Sequence, residues 1–260
     1  MASSGNGPLA LIDVKQLTLS DVESGFDLTR ANDINWGQFR APLKIVDDHQ
    51  STANGLDDRL LLSLGILLIA VHTTSPDPNS PSSPPIPITS QSRFTFWPFV
   101  FQGVKCSLRG FPGYSLWYGP DPRVDMAVNL IIVETMQGLS AAGIPECLAY
   151  MGMVHKQHQY EDKTSRPVGL SSDHDQFHFL MISGEGNWSQ MDYNYASHTQ
   201  EIVDTLAFFH KEASILSASC GSGISDTHAL PAHIRSTSEK PWSIFQVTGD
   251  IDNMDEKESD

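Results

Sequence analysis

The spacing of apolar residues changes several times along this chain, and each change predicts a different element. Between Asp57 and His72, Leu60, Leu64, Leu67, Leu68 and Val71 recur at helical spacing with further leucines on the flanks, which predicts a helix covered on both sides. Val104 to Gly110 and Tyr114 to Tyr118 alternate as paired strands do, and Asn129 to Met136 is apolar on both faces, the mark of a central strand. Helical spacing returns from Gly143 to His158, where Ile144, Cys147, Leu148, Met151 and Val154 or His155 form a stripe. Pro145 falls in its first turn, where a missing N–H costs nothing. Val168 to Leu170 and Gln176 to Ile182 predict a hairpin around Asp173, His174 and Asp175, with Phe177, Phe179 and Met181 alternating with Gln176, His178 and Leu180. Thr199 to Leu216 reads as a further amphipathic helix through Ile202, Leu206, Phe209, Ile215 and Leu216. A short helix is also expected from Ser20, whose hydroxyl can cap it with Glu23 placed three residues later.

Between these elements, Thr73 to Ser92 is almost entirely Ser, Thr and Pro, a composition that builds neither a helix nor a central strand. Apolar residues resume at once with Phe94, Phe96, Trp97, Phe99 and Phe101, so 73–92 is expected to be a disordered insertion within a domain rather than a boundary. After the last helix, Gly, Ser and acidic residues dominate. The expected organisation is a single α/β domain over 1–217, a mixed central sheet flanked by helices, followed by a disordered acidic tail over 218–260. No internal repeat is visible.

Charge narrows the partners. The formal net charge is -15, and near the C-terminal end Asp250, Asp252, Asp255, Glu256, Glu258 and Asp260 face only Lys257. A nucleic-acid surface gathers Lys and Arg into a patch, because neutralising phosphates supplies most of the non-specific affinity. Here Arg30, Arg40, Lys44, Arg59, Arg93, Lys105 and Arg109 are scattered, which favours a protein partner or a small molecule over DNA or RNA. Cys106, Cys147 and Cys220 fit no metal-ligand spacing and cannot all pair within one chain, which suits a reducing compartment. Met1 to Pro8 shows no secretory pattern, and the apolar run Leu60 to Val71 falls short of the roughly 20 residues a membrane span needs. An intracellular location, in cytoplasm or nucleus, and no membrane association are therefore expected.

Some segments are more specific. Arg109-Gly110, Tyr114-Ser115-Leu116-Trp117-Tyr118-Gly119, Asn129-Leu130-Ile131-Ile132-Val133-Glu134, Gly143-Ile144-Pro145 and Cys147 to His155 together resemble a group of fungal proteins related to the PD-(D/E)XK nuclease superfamily. The resemblance covers about Arg109 to Leu180 and implies a restriction-endonuclease-like core. In that group's pattern an acidic residue precedes the Tyr-Ser-Leu-Trp-Tyr-Gly strand, the buried strand ends Glu-Ala-Lys, and a Gln commonly follows on the helix. Two carboxylates on neighbouring strands hold a divalent cation that activates water and stabilises charge on the phosphate, while the lysine positions the water or an oxygen of the transition state. Residues two apart share a face of a strand, so Glu-x-Lys delivers both groups to one cleft.

The spacing survives in this chain, but most of the chemistry does not. The position of the Asp is Gly113, that of the Lys is Met136, and that of the Gln is Glu146; Glu134 alone stands where the motif wants it. Glu134 and Glu146 are thus the candidate metal ligands, Glu134 the candidate catalytic relic, and Asp121 or Asp125 possible substitutes for the lost Asp. The implied function is a catalytically inactive nuclease-like domain retained as a binding, scaffold or accessory protein in a fungus, with no cofactor. One alternative is a weak nuclease using Mg²⁺ or Mn²⁺ on Glu134 and a displaced carboxylate. Another is a non-nuclease accessory enzyme of small-molecule biosynthesis built on the same cleft. His155 with His158, and His174 with His178, lack a third zinc ligand at a diagnostic spacing. Ser115, Ser140 and Ser189 lack a Gly-x-Ser-x-Gly setting, and Gly221-Ser222-Gly223 follows no strand, so neither a serine hydrolase nor a phosphate loop is expected.

Overall fold

The computed structural model describes residues 10–32, 35–39, 88–90, 92–117, 128–136, 138–160, 166–221 and 242–246. The helix expected over 57–72 and most of the Ser/Pro-rich segment lie outside them, as do Asp121 and Asp125. The chain is an α/β protein with mixed sheets, as the sequence pattern implies. Among the described residues, no helix is long and apolar enough to cross a membrane.

Among the described residues, one sheet has four strands: β1 (Ala10–Asp13), β4 (Ser92–Phe101), β5 (Val104–Gly110) and β11 (Trp242–Gln246), in the order β1-β5-β4-β11. β4 and β5 form a hairpin through Gln102 and Gly103, both at positive φ (50° and 80°), the twist that a two-residue connection requires. The ladder shifts register between Phe96 and Phe99, and this bulge absorbs Pro98, which has no N–H to give a neighbour. The second sheet has seven strands in the order β2-β10-β9-β8-β7-β6-β3. These are β2 (Thr29–Arg30), β3 (Ile88–Ser90), β6 (Tyr114–Trp117), β7 (Val128–Glu134), β8 (Val168–Ser172), β9 (Gln176–Ile182) and β10 (Asn187–Asn194). β7 and β8 run parallel, and β8, β9 and β10 follow as antiparallel neighbours.

Two helices lie between the sheets. The first, α1 (Leu19–Phe26), starts two residues earlier than the Ser20 cap predicts: Thr18 is the cap, its hydroxyl accepting from the Asp21 amide while Asp21 accepts from the Thr18 amide. Glu23, expected to complete that cap, instead accepts from Trp188 Nε1 at 2.9 Å. The second, α2 (Gly143–Tyr160), is buried on almost every side rather than along one stripe, because a sheet stands on each side of it. Phe94, Phe96, Phe99 and Leu108 from one sheet meet Phe26, Leu148, Tyr150 and Met151 from the helices and Ile131, Val133, Leu180 and Ile182 from the other. Each fully buried large apolar side chain contributes roughly 1.5–3 kcal/mol relative to exposure. The opposite face of the larger sheet (Leu130, Ile132, Val168, Leu170, Phe177, Phe179 and Met181) packs on α3 (Tyr195–Gly221) through Ile202, Leu206 and Phe209. The α3 backbone departs from helical geometry at His198.

Two of the segments expected to be disordered contain paired strands. Residues 88–90, at the end of the Ser/Pro-rich stretch, pair with β6 as an edge strand, a position that needs partners on one side only and follows the last proline, Pro87. Within the acidic tail, Trp242–Gln246 pairs antiparallel with β4. Its Trp-Ser-Ile-Phe-Gln sequence has the β-branched and aromatic content of a strand, with no acidic residue.

Candidate functional site

The carboxyl ends of β7 and β8 bring the chain at Met136 to Ser140 beside the Asp173 turn. In sheets with parallel strands, these ends are where connecting loops bring side chains together. Glu134 closes β7 and pairs with Ser172, the last residue of β8. The pairing runs one step further, because the Thr135 amide and hydroxyl both donate to the Ser172 carbonyl, at 2.8 and 3.3 Å. Beyond it the chain turns at Met136, whose carbonyl accepts from the Leu139 amide at 2.9 Å, with Gly138 at φ 78°. Met136 and Leu139 are left 72% and 45% exposed.

Asp173, in the β8–β9 turn, holds this loop. Its Oδ1 accepts from the Asp175 and Gln176 amides at 3.1 and 2.8 Å, and its Oδ2 from the Gly138 and Ser140 amides at 2.8 and 3.4 Å. Burial opposes ionisation of this carboxyl, but the four amides outweigh it and hold it below the ordinary carboxylate range. Ser171 Oγ donates to the Ser140 carbonyl at 2.7 Å, so Ser140 is fixed at both its amide and its carbonyl.

The sheet register then adds a second group. Ser171 on β8, His178 on β9 and Asp192 on β10 are direct cross-strand partners, in line with Val133 on β7. His178 Nδ1 stands 2.6 Å from Asp192 Oδ1, and His178 Nε2 stands 3.0 Å from Ser140 Oγ. Gln190 Nε2 donates to the same Asp192 oxygen at 2.7 Å. Ser140 was judged by sequence only for its missing Gly-x-Ser-x-Gly setting. Its alignment with His178 and Asp192 depends on strand register, and the strand that supplies Asp192 was not read from the sequence at all.

Of the sequence-derived metal candidates, Asp121 and Asp125 lie outside the described residues. Along β7, Leu130 and Ile132 pack toward α3, whereas Ile131 and Val133 face α2. Glu146 sits in the first turn of α2. Its Oε1 accepts from the Tyr150 hydroxyl at 3.3 Å. Burial pushes the Glu146 carboxyl up, against the attraction of Lys15 and that hydrogen bond, with Asp13 adding to the rise. Gly113 lies in the turn before β6 and offers no donor atom. His155 and His158 are buried in α2, with burial and then Lys156 pushing His155 down. His174 takes a left-handed φ of 76° in the turn. Among the described residues, no group of three His, Cys, Asp or Glu side chains is placed to hold a metal ion. No family model, curated protein or solved structure matches this chain.

Proposed function

We propose that this chain is a nuclease-like domain of PD-(D/E)XK ancestry that has lost metal-dependent phosphodiester cleavage and works as a binding or accessory module. The restriction-endonuclease-like core would be the larger sheet with α2, a reading supported by the adjacency of the motif-bearing segments: Tyr114 pairs with Ile132, and α2 packs on β7.

The observation that carries the loss of activity is the donor set. At the place that the resemblance gives to a lysine stands Met136, a thioether 72% exposed at the end of β7, and Gly113 replaces the aspartate. Gly113 offers no oxygen to Mg²⁺ or Mn²⁺, which favour carboxylates, waters and phosphate oxygens in octahedral order, and Met136 has no charge with which to position water or a transition-state oxygen. Glu146 is engaged with Tyr150 and lies near Lys15 and Asp13. The residues at the motif positions do not fit the cation. The acidic balance of the chain further supports a protein or small-molecule partner over nucleic acid.

The test compares DNA cleavage in Mg²⁺ and in Mn²⁺ by the native chain and by a Gly113→Asp, Met136→Lys double variant. Cleavage confined to the double variant supports the proposal. Native cleavage that disappears in Glu134→Ala sinks it in favour of a weak nuclease that recruits another carboxylate.

A further inference from the structure

We propose that Ser140, His178 and Asp192 form a nucleophilic site for acyl transfer from neutral carboxylic esters. The site uses neither Glu134 nor a metal, so it stands or falls independently of the nuclease reading.

A carboxylate can only accept, so the 2.6 Å contact of Asp192 with His178 Nδ1 places the ring proton on Nδ1. His178 Nε2 then carries the lone pair, and the Ser140 hydroxyl, 3.0 Å away, donates to it. A hydroxyl nucleophile bonded to a base, with the base oriented by a third group, is the arrangement that activates serine. Each member is held in place. Gln190 fixes the Asp192 carboxylate, the β9–β10 register sets His178 opposite Asp192, and Asp173 with Ser171 pins the Ser140 backbone.

Ser140 is 5% exposed, and the exposed large apolar side chains Met136 and Leu139 stand within four residues of it. A net charge of -15 disfavours anionic substrates. A neutral ester with a short apolar acyl group fits both facts.

In the reaction Ser140 Oγ adds to the ester carbonyl carbon as its proton passes to His178 Nε2. The adduct collapses, the bond from the carbonyl carbon to the alcohol oxygen breaks, and the same proton leaves with the alcohol. Water then adds to the acyl-Ser140 ester with the same proton relay, and the carboxylic acid departs. The Asp192 side chain is 59% exposed, so water screens its support of the imidazolium. With an activated ester, whose phenolate leaves readily, acylation outruns hydrolysis by water and acyl-enzyme accumulates.

The experiment mixes the native chain with p-nitrophenyl butyrate in a stopped-flow instrument and, separately, with a fluorophosphonate. The expected result is a burst of one equivalent of p-nitrophenolate followed by slow turnover, and a single phosphonyl adduct mapped by peptide mass to Ser140. In Ser140→Ala both signals disappear; in His178→Gln the burst slows by about a thousandfold, the scale of a lost general base. Circular dichroism checks that each variant is folded, and the adduct map on the native chain decides the matter if one is not. A native chain that gives neither burst nor adduct, an adduct on another residue, or a burst retained by folded Ser140→Ala overturns the proposal.

Discussion

The carboxylate of Asp173 accepts a hydrogen bond from the amide of Gly138 at 2.8 Å, tying the turn after β8 to the loop after β7. Because the same carboxylate serves three further amides, it acts as the organiser of this end of the sheet. Asp173→Ala removes the shared acceptor of four amides, of which the Ser140 amide is the buried one, and a loss of about 1–3 kcal/mol in urea unfolding is expected. Asp173→Asn keeps acceptor oxygen but not the charge, and is expected to lose less.

The pH dependence of that tie follows from its direction. The folded-state pKa of Asp173 is depressed, so its contribution is present above the unfolded value and disappears as pH falls through the folded one. Thermal melts of the native chain and Asp173→Asn below about pH 4 should therefore converge as the acid is titrated.

Glu146 has the opposite sign. Burial raises its folded-state pKa, so the folded form holds its proton more tightly than the unfolded form, and stability declines as pH rises through that window. Glu146→Gln retains an acceptor for the Tyr150 hydroxyl and removes the buried charge. Its melting temperature is expected to exceed that of the native chain at neutral pH, with the gap closing below about pH 4. A variant less stable than the native chain at pH 7 would show that the attraction of Lys15 outweighs burial.

Gly25 offers a test of packing against propensity. Replacing a helical glycine with alanine ordinarily stabilises by about 1 kcal/mol. At Gly25 a β-carbon would run into the Phe99 ring on β4, and at Gly152 it would stand 2.7 Å from the Phe26 ring. Either alanine variant is expected to destabilise by about 1–3 kcal/mol in urea, the cost of overpacking.

The last strand can be removed. Ending the chain at Pro241 deletes β11 and uncovers the edge of β4, whose residues Ser92 to Phe96 pair with it. Hydrogen exchange should show lost protection confined first to β4, and light scattering should show association through the exposed edge.

Much of the sheet and helix order was legible because apolar periodicity reports burial directly. β7, α2, β8 and β9 follow it, and each was read to within a few residues. β10 was not readable, since Asn187–Asn194 places Ser189 in the interior and keeps only Trp188 and Tyr193 as fully buried apolar positions, which masks its alternation. β11 was hidden by the acidic residues that follow it. The Ser140, His178 and Asp192 alignment was illegible for a related reason: it depends on which residue of β10 faces which residue of β9, and register is a property of the paired strands, not of either segment alone. The alternation of β9 did carry half of the signal, because it puts His178 on the face of Leu180 and Ile182, toward α2.

The smaller sheet also constrains the order of assembly. Its central strands, β4 and β5, are neighbours in sequence joined by a two-residue turn, whereas β1 joins β5 and β11 joins β4 from distant parts of the chain. Local closure is the cheaper step, so the hairpin nucleates and the two outer strands are recruited late, each only after a long intervening stretch has been drawn in.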